Sequence, residues 1–190
     1  MRILRAAGHK RMPWKNGKGE TVEIAVFPPG ADVDSFDWRI STATVAEDGA
    51  FSVFEGIDRT LSILTGEGME LSVEGRAPVL LDQLSVSHAF PGDAPTTARL
   101  TGGAITDLNV MTRRGSFAHR VDRIAGQKEV TIGTRSGQTV VIVTGDAKLG
   151  NEPLGAMDAI LLDQGEGALS LSLAEETAVF IIEIRPVGLS

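Results

Sequence analysis

The segment TLSILTGEG (residues 60–68) returns later in the chain as TVVIVTGDA (residues 139–147). Each copy is a run of apolar and β-branched residues ending in a Thr-Gly turn, as expected of a β-strand followed by a tight turn. LLDQ follows each copy at residues 80–83 and 161–164, so the separation is 79 residues at the threonines (139 minus 60) and 81 at LLDQ (161 minus 80). A period near 80 residues predicts two small β-barrels in tandem. Chance is the alternative, because Thr-Gly turns and Leu-Leu pairs are common.

Short segments with the two-residue alternation of β-strands occur along the whole chain, and none carries the sustained 3.6-residue apolar period of a helix. Many short strands at regular spacing predict an all-β sandwich or barrel. The predicted strands are residues 21–27, 38–45, 60–66, 69–75, 106–113, 129–134, 138–145, 158–164, 168–173 and 177–186.

The strand pattern lapses over residues 115–129, a polar stretch that is either the boundary between two halves or a strand that bends between sheets. We therefore divide the chain into an N-terminal barrel, residues 1–115, and a C-terminal barrel, residues 116–190. Strands can be shared between these halves. The candidate ligand pocket is assigned to the first half, because the polar residues discussed below lie there.

Composition narrows the classes of partner. The chain has 190 residues, 42% of them hydrophobic and 23% charged, which is the balance of a soluble globular protein. Its net charge of −7, from 18 basic and 25 acidic residues, argues against a nucleic-acid partner. The sequence contains no cysteine, which excludes disulfides, thiolate chemistry and cysteine-ligated metals.

The sequence predicts a cytoplasmic location. No apolar core region follows Met1 before the charged His9-Lys10-Arg11 run, so a signal peptide is not expected. No apolar run approaches the roughly 20 residues of a membrane helix, so no membrane partner is expected. The oligomeric state is open, and a homodimer is compatible with the sequence.

Neither a metal site nor a catalytic residue is predicted. His9, His88 and His119 are isolated, without the spacing of metal ligands, and are best interpreted as surface or capping residues. No G-x-S-x-G turn marks a serine nucleophile, and the glycine runs do not lead into a phosphate-binding helix. We therefore expect no cofactor.

Polar residues within apolar strands of the first half are the candidates for function. In DWRIS (residues 37–41), alternation places Arg39 on the strand face opposite to Trp38. Arg59 begins a very apolar strand, and Asn109 lies between two apolar residues, where an amide needs hydrogen-bond partners. Buried arginines require an anionic partner, so a cavity lined by such donors suits a small carboxylate. This favours recognition over catalysis.

Two other interpretations remain open. A metal-independent isomerase or hydrolase acting on a sugar or amino-acid derivative would need Asp48, Glu55 or Asp58 as acid or base. In a purely structural module, the two arginines and Asn109 would instead be used in internal hydrogen bonds, with no cavity between them.

Four segments together resemble the HutD/Ves family of small bicupin proteins, which are often associated with bacterial histidine-utilisation operons. They are MPWKNGKGETVEIAVFP (residues 12–28), FDWRISTATVAEDGAFSVFEGIDRTLSILTGEGMEL (residues 36–71), PGD (residues 91–93) and DLNVMTRRG (residues 107–115). The resemblance implies an all-β double cupin fold without a metal. It also implies that the protein binds a small acidic metabolite of histidine breakdown, such as formylglutamate or urocanate. By this binding the protein would modulate histidine utilisation.

The resemblance also implies a set of ligand-binding residues. Arg59, from the GxDR motif, would bind the ligand carboxylate. RMPWKNGKGE (residues 11–20) combines Pro-Trp with Asn-Gly, which is strong turn chemistry, and predicts that Trp14 to Gly17 form a turn over the mouth of the first barrel. The other implied ligand-binding residues are Lys15 and Asn16 within this turn, Arg39, Asn109, and the apolar walls Trp14 and Trp38.

Overall fold

The computed structural model describes residues 1–14, 19–133 and 135–188. Over these residues the chain is all-β apart from one short 3-10 helix, Ala6–Gly8, which confirms the predicted class. No helix in these ranges is long and apolar enough to cross a membrane. The strands are β1 (Arg2–Leu4), β2 (Lys10–Pro13), β3 (Gly19–Phe27), β4 (Trp38–Val45), β5 (Gly49–Ala50), β6 (Ile57–Thr65), β7 (Met69–Val73), β8 (Val79–Leu81), β9 (His88–Pro91), β10 (Thr96–Leu100), β11 (Ile105–Arg113), β12 (Phe117–Ile124), β13 (Glu129–Ile132), β14 (Gln138–Val143), β15 (Ala147–Leu149), β16 (Glu152–Leu154), β17 (Ala159–Leu162), β18 (Leu169–Leu173) and β19 (Val179–Pro186).

The chain forms two compact units. The N-terminal unit is Lys10–Phe117, and the C-terminal unit combines Met1–His9 with the chain from Ala118 onward. The strand pattern of the sequence predicted a division after residue 115, with residues 1–9 in the first half. In the structure β1 pairs with β17, with Arg2 opposite Leu161, and this pairing places the first residues in the C-terminal unit.

The N-terminal unit contains two antiparallel sheets. One has the strand order β2-β3-β4-β11-β6-β9, and the other β5-β10-β7-β8. Strand alternation turns one face of each sheet toward a shared apolar core, as the buried-intermediate alternation of β7 shows. Core residues include Ala43, Leu61, Ile63, Met69, Leu71, Phe90, Ala98 and Ile105.

The C-terminal unit repeats this arrangement. Its sheets have the orders β1-β17-β14-β19-β12 and β13-β18-β15-β16. Each half is thus a pair of sheets rather than one closed barrel. The core of this unit is aliphatic, and it includes Val130, Ile132, Val141, Val143, Ile160, Leu171, Leu173, Val179 and Ile181.

The two copies of the sequence repeat occupy corresponding strands. In the larger sheet of each unit, β6 lies between β11 and β9, and β14 lies between β19 and β17. Each then leads into the smaller sheet. The LLDQ copies do not correspond, because residues 80–83 overlap β8 in the smaller sheet of one unit, whereas residues 161–164 overlap β17 in the larger sheet of the other.

Candidate functional site

The N-terminal unit contains a cavity of about 600 Å³, which is within the range of small-molecule sites. One side is formed by the inner face of the larger sheet, and the other by the loop after β4, residues 46–56, which contains the short strand β5. The polar lining residues are Thr21, Arg39, Ser41, Glu47, Asp48, Ser52, Arg59 and Asn109. The remaining lining residues are Trp14, Ala43, Val45, Gly49, Ala50, Phe51, Phe54, Ala98 and Met111.

Strand register brings the two arginines to one row of the sheet. Met111 on β11 lies opposite Arg39 on β4 and opposite Arg59 on β6. Residues directly opposite on antiparallel strands point to the same face, so both guanidinium groups reach the cavity. In the next row, Asn109 lies opposite Ser41.

Arg59 is buried, with only 7% of its surface exposed. Its Nε donates a hydrogen bond to Asn109 Oδ1 at 2.7 Å, and its Nη2 donates to the same oxygen. The guanidinium carbon lies 4.5 Å from the ring centroid of Phe51 and 5.6 Å from that of Phe90, in the geometry of cation–π contacts. In the ranges that the structure describes, no carboxylate forms a salt bridge with Arg59, and its Nη1 donates no hydrogen bond.

Arg59 keeps its charge at neutral pH despite its burial. Burial lowers the pKa of Arg59 to about 10, an effect that the charge of Asp107 opposes and the nearby Arg39 reinforces. A cation in this position therefore favours an anion in the cavity.

Asp107 lies on β11, two residues before Asn109, and is fully buried. Its Oδ1 accepts a hydrogen bond from Asn109 Nδ2, whereas its Oδ2 has no partner among the described residues. Burial raises the pKa of Asp107 to about 7, although the charge of Arg59, the nearby backbone N–H of Ala43 and the hydrogen bond from Asn109 favour the ionised form. Sequence reasoning missed this residue. The available signal was the alternation of β11, which places Asp107 on the same face as Asn109.

Arg39, unlike Arg59, has a carboxylate partner. Its Nε donates to Glu23 Oε2 at 2.7 Å, and both side chains are largely buried. An irregularity in β3 between Glu23 and Ala25 leaves Glu23 opposite Ser41, on the inner face. The charge of Arg39 is thus compensated within the protein.

Trp14 lines the cavity from the end of β2. Its Nε1 donates to Thr21 Oγ1 at 2.9 Å, and its backbone N–H donates to the Gly19 carbonyl at 2.9 Å. Its ring packs directly on Gly19, where an added Cβ would lie 2.8 Å from the indole.

The structure brings together four of the residues named from sequence, because Trp14, Arg39, Arg59 and Asn109 all line the cavity. Trp38 does not line it. Alternation turns Trp38 to the other face of β4, where it stacks on Phe27 at a centroid distance of 5.9 Å. The remaining two, Lys15 and Asn16, lie outside the described residues.

The aromatic residues of the loop after β4 were missed. Phe51 and Phe54 line the cavity, and Phe51 covers one face of the Arg59 guanidinium. They belong to a loop without strand periodicity, so alternation could not place them. The clustering of two phenylalanines in a short acidic and glycine-containing loop was the only signal in the sequence.

Two of the three candidate acids and bases accept hydrogen bonds from other parts of the protein. Asp48 lines the cavity, but its Oδ1 accepts the Leu100 N–H at 2.7 Å. Asp58 accepts from Arg114 Nε at 2.8 Å, and Glu55 is exposed. Over the described part of the chain, no three potential metal ligands come together.

Comparison with known proteins gives concordant matches. The family model described as HutD matches residues 6–181. A Pseudomonas putida protein, described as an uncharacterized 21.2 kDa protein in the hutC 3' region, is 33% identical in an alignment 180 residues long that covers 91% of this chain and 92% of that protein. Protein Ves of Citrobacter koseri is 36% identical in an alignment 176 residues long that covers 90% of this chain and 89% of Ves. The structure of HutD from Pseudomonas fluorescens SBW25 matches with a TM-score of 0.78 and 33% identity, covering 98% of this chain and 99% of that one. The predicted double cupin fold class is confirmed.

Proposed function

The chain belongs to the HutD family, and we propose that it serves histidine utilisation by binding a small carboxylate metabolite in the cavity of its N-terminal unit. The observation that carries this proposal is the state of Arg59 in the cavity. It is a buried cation that lines the cavity and forms no salt bridge with the described residues.

The donors of Arg59 suit a carboxylate. Asn109 Oδ1 accepts from Nε and Nη2 along one edge of the guanidinium, which fixes its orientation. The end formed by Nη1 and the second N–H of Nη2 is then available for the two oxygens of a ligand carboxylate. Such a pair would provide the anion that a buried guanidinium requires.

The rest of the cavity suits the body of an amino-acid-sized ligand. Trp14, Phe51, Phe54 and Met111 provide apolar surface, and the hydroxyls of the lining serines can accept or donate hydrogen bonds. Formylglutamate and urocanate each combine a carboxylate with a small planar group, which such a cavity can hold. We propose ligands of this class, and a role in modulating the pathway by binding.

The first test is calorimetric titration of the purified protein with N-formyl-L-glutamate, urocanate and formiminoglutamate. At least one should give saturable heat. Arg59→Ala should weaken its binding by about 1.5–3 kcal/mol, the worth of a hydrogen bond to a charged group. Arg99→Ala is the matched control, since Arg99 lies on β10 with its side chain 71% exposed, and it should leave the affinity unchanged. No heat with any of the three ligands, or equal affinity in the Arg59 variant, would contradict the proposal.

The enzyme alternative is tested in the same samples. Proton NMR of each ligand after long incubation with protein should show the ligand intact. Steady conversion that Asp48→Asn abolishes would favour an acid–base enzyme instead, because Asp48 is the one sequence candidate that lines the cavity in the described residues.

A further inference from the structure

We propose that Asp107 takes up a proton when a carboxylate ligand binds at Arg59, an inference that rests on the proposed function. Asp107 would then be a positioning residue that sets the charge of the site without touching the ligand. It acts through Asn109, which bonds to both Asp107 and Arg59.

The geometry provides a place for this proton. Asp107 Oδ2 is buried without a hydrogen-bond partner in the described ranges, and an ionised oxygen is unfavourable in that environment. Oδ1 stays bonded to Asn109, so protonation of Oδ2 would leave the hydrogen bonds between Asp107, Asn109 and Arg59 intact.

Arg59 is the charge that favours ionised Asp107. From β4, Arg39 faces the same cavity but is paired with Glu23. Ala43 and Ile63 lie opposite Asp107 on the neighbouring strands. They belong to an apolar core to which the facing sheet contributes Leu71 and Ala98. A ligand carboxylate would neutralise the charge of Arg59. Ionised Asp107 would then lie in an apolar environment without a compensating cation.

The same sheet also carries a histidine, His88. His88 on β9 is opposite Leu61 on β6, two strands from β11, and stacks on Phe90 at 6.0 Å. Burial lowers the pKa of His88, with a smaller contribution from Arg76. It could therefore contribute its own pH dependence, and a test must separate it from Asp107.

The sign of the effect follows from this charge balance. Burial raises the pKa of Asp107 to about 7, so both forms are populated near neutrality. At lower pH the carboxyl is already neutral, and the charge of Arg59 is available to the ligand. At higher pH binding must draw a proton from solution, so affinity falls by up to about tenfold per pH unit, the limit for one linked proton. The ligand carboxylates titrate well below this range.

The experiment is calorimetric titration with N-formyl-L-glutamate between pH 6 and 8, in two buffers of different ionisation enthalpy. The wild type should bind more weakly as pH rises and should take up a proton from the buffer. Asp107→Asn keeps an acceptor for Asn109 but cannot titrate, so its affinity should be independent of pH and close to the wild-type value at pH 6. His88→Gln should keep the wild-type slope.

Several outcomes would overturn the inference. Tight wild-type binding that is flat with pH, or an undiminished slope in Asp107→Asn, contradicts the role of Asp107 but leaves the proposed function standing. Absence of binding at every pH contradicts both. If Asp107→Asn does not fold, carbon-13 NMR of aspartate-labelled wild type replaces it. One carboxyl should titrate near pH 7 and shift upward with ligand, and titration of every aspartate below about pH 5 would refute the inference.

Discussion

The side chain of Asp107 makes the stability of the fold depend on pH. Its pKa is raised from 3.8 to about 7 by burial. Between these values the folded protein holds a proton that the unfolded chain has lost, so the free energy of unfolding falls as pH rises through this range. Above the folded pKa the decrease is complete.

Urea unfolding of wild type and Asp107→Asn between pH 5 and 8 measures this contribution. The free energy of unfolding of the wild type should fall steadily, relative to that of Asp107→Asn, as pH rises to about 7. His9 and His88, whose pKa values are lowered by burial, titrate in both proteins and cancel in the difference. A difference that stays constant with pH would show that Asp107 is ionised throughout.

At the level of single residues, the sequence identified the hydrogen-bond donors of the cavity better than their partners. Arg39, Arg59 and Asn109 could be named because each is a polar residue in an apolar strand. Glu23 could not be paired with Arg39 from alternation alone, since the irregularity in β3 decides which face Glu23 occupies. Phe51 reaches the site from a loop, where no period applies.

Strand β4 separates a ligand-facing side from a structural side. Arg39 and Ser41 line the cavity, whereas Trp38 is 3% exposed and stacks on Phe27. Trp38→Phe should therefore lower the free energy of unfolding, by less than the about 3–5 kcal/mol of a buried Trp truncated to Ala, and leave the dissociation constant of N-formyl-L-glutamate unchanged. Urea unfolding and calorimetry measure the two quantities. A weakened affinity without loss of stability would place Trp38 in the site after all.

The close contact between β3 and β4 holds Trp14 in place. A Cβ on Gly19 would lie 2.3 Å from the Thr44 carbonyl oxygen, which is backbone and cannot rotate away, and 2.8 Å from the Trp14 ring. Gly19→Ala should cost about 1–3 kcal/mol of stability and also weaken ligand binding, because Trp14 lines the cavity.

The matched control for this pair of measurements is Gly103→Ala. An added Cβ at Gly103 meets nothing within 4 Å, so stability and affinity should both be close to wild type. If Gly19→Ala behaves like this control in both assays, the packing of Trp14 on Gly19 has no part in the site.

Strand prediction succeeded where strands are long and apolar. Residues 38–45 were predicted as a strand, and β4 is Trp38–Val45. Strand β5, Gly49–Ala50, has two residues, too few to show alternation. Strand β12 lies in the stretch that the sequence left open as a boundary or a bending strand, because most of its side chains are only partly buried and give no clean apolar face.

The repeat gives the two units similar sheets but different interiors. Leu61 and Ile63 on β6 pair with Asn109 and Asp107 and face the core of the N-terminal unit. In the C-terminal unit the inward pairs are Val141 with Ile181 and Val143 with Val179. The positions of Asn109 and Asp107 are therefore aliphatic in the second unit, and that of Arg59 is Thr139.

The sequence repeat alone misaligns these positions by one residue. At a separation of 79, Leu61 matches Val140, yet the inward residue is Val141. The cause is a register shift in β6, where Thr65 and Ile63 pair with the consecutive Thr106 and Asp107. The sequence repeat could predict two similar halves. Only the strand register shows that, among the described residues, the C-terminal unit has no counterparts of Arg59, Asp107 and Asn109.

A pair of substitutions tests this asymmetry. Ile181→Ala should lower the free energy of unfolding by about 2–5 kcal/mol and leave the affinity for N-formyl-L-glutamate unchanged in the folded protein. Asn109→Ala, at the matching position of the N-terminal unit, should weaken binding because Arg59 loses its orienting acceptor. Calorimetry and urea unfolding distinguish the two, and equal losses of affinity in both variants would contradict the assignment of the site to one unit.

The most direct measurement is a crystal structure of the protein with N-formyl-L-glutamate at saturating concentration. The predicted result is a ligand in the cavity of the N-terminal unit, with a carboxylate within hydrogen-bond distance of Arg59 Nη1 and the rest of the molecule against Phe51 and Met111. A ligand bound elsewhere, or an empty cavity under conditions where calorimetry shows saturation, would contradict the account.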